Sequence, residues 1–126
     1  MKRRFFVRAA DVPSYHPANH TGTTNKRLVG ADNVGAQNVE LVLGVIEKGR
    51  GADPHAHPGM EQVCYLLEGS ATVELDGERC EMLPGDTCYF PAGTMHKFTA
   101  TSEKPAKVLV IYSPPYGESP DKVVRS

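Results

Sequence analysis

No apolar pattern in this 126-residue chain holds a helical period over three turns. What recurs instead is a short β-rich run closed by glycine or proline, of which the chain has twelve and ten. Strand interiors tolerate neither residue well, so each closure marks a turn. The runs are RFFVR (4–8), KRLVG (26–30), NVELVLGVIE (38–47), QVCYLLEG (62–69), ATVELDG (71–77), ERCEML (78–83), DTCYFP (86–91), HKFTA (96–100) and AKVLVIYS (106–113). Asp76-Gly77 separates two of them, as in a two-residue hairpin. SYHPANHTGTTN (14–25) has no clear period and reads as a long ordered arm or loop. KGRGADP (48–54) reads as a loop, and PPYGESPDKVVRS (114–126) as a polar surface tail. Many short strands with close turns predict an all-β sandwich or closed barrel.

The length predicts one domain: a strand and arm over 1–37, a barrel over about 38–113 and a tail over 114–126. Lys plus Arg is 14 and Asp plus Glu is 15, so no basic excess points to nucleic acid. No run approaches the ~18 apolar residues of a membrane span. The start MKRRFFVRAADVP has basic residues, but its apolar run is too short for a signal peptide. The expectation is a soluble, cytoplasmic protein. Cys64, Cys80 and Cys88 are odd in number and lack a CxxC spacing, which predicts reduced thiols.

PHAHPGMEQ (54–62) contains the chemistry. Residues two apart on a strand share a face, so His55 and His57 offer two imidazoles to one point. On a helix they would diverge by roughly 200°. Neutral imidazole is a ligand for zinc, nickel, copper and iron. Gly49, five residues, His55-x-His57, four residues, Gln62, six residues and Gly69 form one block. Gly85, five residues, Pro91-x-Gly93, two residues and His96 form a second. Together these resemble the two signature motifs of the cupin superfamily. The second motif usually ends in Asn, and here that position is Ala100. The resemblance implies a double-stranded β-helix, a jelly-roll barrel. It also implies one divalent ion per chain (zinc, nickel, manganese or iron) on His55, His57, an acid or amide, and His96.

Glu61 and Gln62 compete for the fourth position. A carboxylate is the stronger donor, which favours Glu61. Spacing to Gly69 favours Gln62, and a one-residue slip would turn the strand inside out. The reading adopts Gln62, which places Cys64 and Leu66 inside and Val63, Tyr65 and Leu67 outside. With three imidazoles and an amide, a divalent ion keeps its full formal charge, which favours Lewis-acid chemistry on an oxygen-rich substrate.

These four residues, with VLVIYSPPYGE (108–118), are similar to the small monocupins that linearise unsaturated galacturonate in pectin breakdown. The resemblance places Tyr112 where those carry a Phe, and Val110 where they carry a catalytic Asp. Valine moves no proton, so any acid or base must come from elsewhere. His20 and Tyr89 are the leading candidates, with His16 and Glu40 behind them. Arg27, Met60, Phe98 and Tyr112 are the candidate substrate contacts. Three functions are open: a metal-dependent isomerase or lyase acting on a sugar acid or other carbonyl-bearing molecule; an iron or manganese dioxygenase; and a non-enzymatic sugar or small-molecule binder. Edge strands and the N-terminal arm predict a homodimer.

Overall fold

The computed structural model describes residues 5–125. Met1–Arg4 and Ser126, and with them the start of RFFVR, lie outside the described residues. Ten strands follow in order: β1 (Ser14–Tyr15), β2 (His20–Val29), β3 (Glu40–Ala56), β4 (Glu61–Glu68), β5 (Ala71–Leu75), β6 (Glu78–Met82), β7 (Thr87–Phe90), β8 (His96–Ala100), β9 (Ala106–Ser113) and β10 (Val124–Arg125). All pairings are antiparallel, in the order β6-β5-β8-β3-β9-β4-β7, with β2 and β10 also on β3 and β1 on β2. The result is a nearly closed antiparallel barrel.

Strand β3 joins the two halves. Its residues Glu40–Ile46 pair with β9, and Gly51, Ala52 and His55 pair with β8. Between them Glu47–Arg50 bulge outward and are exposed. The expected loop over 48–54 is therefore an excursion within one long strand. Where β3 rejoins the sheet it runs against β8 so closely that a Cβ on Gly51 would lie 2.1 Å from the Phe98 carbonyl oxygen. Only glycine fits there, with φ at 147°.

The hairpin at Asp76-Gly77 has both φ values positive, 49° and 78°, as a type I′ turn requires. Strand β4 alternates as the spacing argument demanded: Gln62, Cys64 and Leu66 are buried, while Glu61, Tyr65 and Leu67 are exposed. Leu66 is fully enclosed, and it packs with Ile46, Val73, Met82, Phe90, Phe98 and Val108 in the core.

Two expectations fail near the N-terminus. Phe5–Arg8 form no strand. The expected arm over 14–25 contains β1 and half of β2, which pair with each other and with β3. The tail is also more than surface: Tyr116 is buried, and β10 pairs with Ala56 and His55. Among the described residues no helix is long and apolar enough to cross a membrane.

Outside the barrel, two cross-strand rows are largely apolar. Leu41, Ile111, Val63 and Tyr89 form one, and Leu43, Leu109, Tyr65 and Thr87 the other. Tyr65, Tyr89 and Ile111 are exposed at 40%, 51% and 40%.

Gly51→Ala should cost roughly 2–4 kcal/mol, since backbone must move to admit the methyl group. Gly49→Ala should cost less, because a Cβ there meets nothing within 4 Å. Urea denaturation of both variants checks the order; equal losses would contradict the close crossing of β3 and β8.

Candidate metal centre

Three elements bring the histidines together. His55 lies on β3, His57 one residue beyond its end, and His96 at the start of β8, paired with His55. The three rings offer ligand nitrogens that all lie within 4.8 Å of one another, and all three residues are buried.

Their hydrogen bonds fix the tautomers. His55 Nδ1 bonds the Asp53 carbonyl at 2.6 Å, His57 Nδ1 that of Lys122 at 2.9 Å, and His96 Nδ1 that of Thr94 at 3.1 Å. A carbonyl oxygen only accepts, so each Nδ1 carries the proton. Each Nε2 therefore presents a lone pair. His55 Nε2 and His96 Nε2 face each other at 3.1 Å with no proton to share, and His57 Nε2 is buried without a partner. Burial lowers the pKa of all three, to about 4 for His57 and about 3 for His96. Neutral rings with lone pairs brought together leave buried acceptors without donors, and a cation among them would relieve this. The donor set fits a divalent metal ion.

Gln62 lines the same interior, and its Oε1 is buried without a partner. Glu61 points outward and accepts a hydrogen bond from Tyr89. The cavity inside the barrel is small, about 40 Å³. Its walls are mainly apolar: Val42, Ile46, Phe90, Phe98, Val108 and Val110, with Tyr112. No carboxylate, Lys or Arg is among its lining residues.

His20 also faces this cavity, its ring centre 6.1 Å from that of His55. Thr23 Oγ1 donates to the Thr21 carbonyl and so is free to accept from His20 Nδ1 at 3.3 Å. That leaves His20 Nε2 unprotonated, and burial lowers its pKa to about 4.

The other candidates are placed elsewhere. Tyr89 is exposed on the outer face. Arg27 is bound to Glu40 and Asp32 under the Tyr15 ring and does not line the interior. Met60 is buried but lines no part of this cavity. His16 donates to the Thr23 carbonyl. Thr23 and Asn25 line the cavity and were missed, because a polar inner face on β2 carries no apolar alternation. Tyr116 and the Lys122 carbonyl, both against His57, were missed inside a segment that reads as polar tail.

Fold and site define a small β-barrel protein with a histidine cluster in its interior. The family model described as a cupin domain matches residues 42–112, more than half of the chain, and the chain belongs to that family. An uncharacterized protein of Methanocaldococcus jannaschii is 36% identical over 70 residues, 56% of each chain, so the match spans about half of that relative. The structure of KdgF from Halomonas sp. aligns with a TM-score of 0.78 at 25% identity, covering 90% of this chain and 97% of that one. The polyketide cyclase RemF from Streptomyces resistomycificus aligns at 0.73 and 27% identity, covering 90% and 79%.

His55→Ala or His96→Ala should abolish binding of one divalent metal ion per chain, measured by elemental analysis of untagged protein. Gln62→Ala should weaken binding more than Glu61→Ala, and the reverse order would reassign the fourth donor.

Proposed function

We propose that this cupin is a metal-dependent enzyme that acts as a Lewis-acid catalyst on a small carbonyl-bearing molecule. His55, His57, His96 and Gln62 would hold one divalent ion. The observation that carries the reading is the convergence of three proton-free Nε2 atoms beside the unpartnered Gln62 oxygen. Bound there, the ion would polarise a substrate oxygen and acidify the neighbouring C–H.

The chain's own residues narrow the substrate. No charged side chain lines the interior, so an anionic group of the substrate would find its partner outside it, at Arg125 of an outer cleft. Phe90, Phe98, Val108 and Val110 suit an uncharged, carbonyl-bearing reacting end, in keeping with the likeness to a polyketide cyclase. His20 also borders that outer cleft, of about 340 Å³, with Asn19, Asp53, Pro54 and Arg125. The substrate's body sits in that cleft, and its reacting end reaches inward past His20. Val110 offers no base, so His20 Nε2 takes the proton, with Nδ1–H held by Thr23.

His20→Gln should lower kcat by about 10²- to 10⁴-fold, the usual worth of a general base, and leave metal content unchanged. Turnover of a 1,3-dicarbonyl panel, followed by absorbance beside an oxygen electrode, tests the reaction class. Conversion without oxygen uptake supports it; stoichiometric oxygen consumption would replace it with the dioxygenase reading, and binding without conversion with the non-enzymatic one.

A homodimer is the partner this reading includes. A second copy covers the two apolar rows outside β3, β9, β4 and β7, packing face to face as sheets do. No charged side chain interrupts those rows, and the nearby Glu68 is already paired with Lys104 and Lys107. Ile111→Lys should give a monomer by light scattering at micromolar concentration; a monomer before substitution would overturn the dimer.

A further inference from the structure

His55 and His96 each find their Nδ1 acceptor two residues back in the same stretch of chain, at Asp53 and Thr94. Local folding orients both rings. His57 differs, because its acceptor, the Lys122 carbonyl, is 65 residues away. We propose that the C-terminal segment after β9, residues 114–125, is the holder of His57: it sets the tautomer and direction of that ring and through them the affinity of the centre for its metal. The proposal rests on the metal reading above and gives a role to a segment that reading uses only through Arg125 of the outer cleft.

Three features support it. The first is contact: Tyr116 is 6% exposed and sets its ring edge-on against His57, 4.5 Å between centres, so the ring is held from the side as well as through Nδ1. The second is anchorage. Gly117 N–H donates to Glu40 Oε1 at 2.9 Å, and Glu40 is 1% exposed and also accepts from Arg27 Nε. Lys122 Nζ donates to the Pro115 carbonyl at 2.8 Å, which closes the segment on itself. The third is register: β10 pairs Val124 with Ala56 and Arg125 with His55, the stretch that leads directly into His57. The segment thus holds His57 itself and the two residues that lead into it.

A ring released from the Lys122 carbonyl is free to turn and to move its proton to Nε2, and in that form Nε2, the atom that faces the cluster, has no lone pair to give a metal. Partners of this kind are worth about 10- to 100-fold in metal affinity. Linkage makes the effect mutual: metal binding must favour the docked segment by the same factor. Tyr116 and the Lys122 carbonyl are positioning groups in this arrangement, acting through His57.

The test uses the full-length chain and zinc(II), with a chromophoric chelator as competitor. Gly117→Pro removes the N–H that Glu40 accepts and cannot adopt the φ of 58°. Tyr116→Ala removes the side support. The expected result is one zinc per chain in all three proteins, bound about 10- to 100-fold more weakly by Gly117→Pro and less weakened by Tyr116→Ala. Imidazole ¹⁵N spectra of the metal-free proteins should show His57 protonated at Nδ1 in the unaltered chain and a mixture in Gly117→Pro. A segment that only stabilises the fold would lower the melting temperature and leave zinc affinity and the His57 tautomer alone, and that outcome overturns the proposal. Should Gly117→Pro fail to fold, hydrogen exchange of the unaltered protein decides: zinc should slow the amides of residues 117–125, and no slowing refutes the coupling. Failure of the unaltered chain to bind zinc would sink the metal reading and the affinity claim together. Equal affinity in all three proteins would overturn the role of the segment alone.

Discussion

Three imidazole lone pairs brought together in a buried interior are the constraint around which the structure is arranged. Each is held there by a main-chain carbonyl that accepts a hydrogen bond from the N–H of the opposite nitrogen. A main-chain acceptor cannot be lost by substitution of its side chain and moves only if the backbone moves. The geometry of the centre is therefore a property of the strands and the bend between them. The cost of such an arrangement is the burial of acceptors without donors, at His57 Nε2 and Gln62 Oε1, which would be unfavourable by a few kcal/mol with nothing between them.

The barrel supports this through its core, since Ile46, Phe90, Phe98 and Val108 both pack together and wall the cavity that His55 and His96 line. Burial lowers the pKa of His55, His57, His96 and His20 alike, so four rings remain neutral where solvent would let them titrate near 6.5.

Much of this was legible in the sequence, for identifiable reasons. Strands β4 to β9 fall where the runs place them, because turn residues such as Gly69, Asp76-Gly77, Pro84, Pro91 and Pro114 close most of the runs, and β4 and β8 alternate between a core face and an outer face. The Gly69 spacing correctly chose which of Glu61 and Gln62 faces inward. The misses share another cause. Strand β2 turns His20, Thr23 and Asn25 inward, so its inner face has no apolar period to detect. KGRGADP carries loop residues because β3 bulges there, yet the strand resumes beyond it. The segment from Pro114 on is polar because it serves through backbone atoms, a carbonyl and an N–H, which no side-chain pattern announces.

Strand β3 belongs to both halves of the barrel, and the histidines stand at its far end, beyond the bulge. Opening or closing of one half against the other must pass through that strand, and His96 is carried by the neighbour it pairs with at His55. A slight scissoring of the two halves would alter the bite of the three nitrogens directly. The close crossing at Gly51 lies four residues before His55, on the same strand and against the same neighbour β8. A side chain wedged there would splay the jaws, and the protein would feel a packing defect as a change in its chemistry.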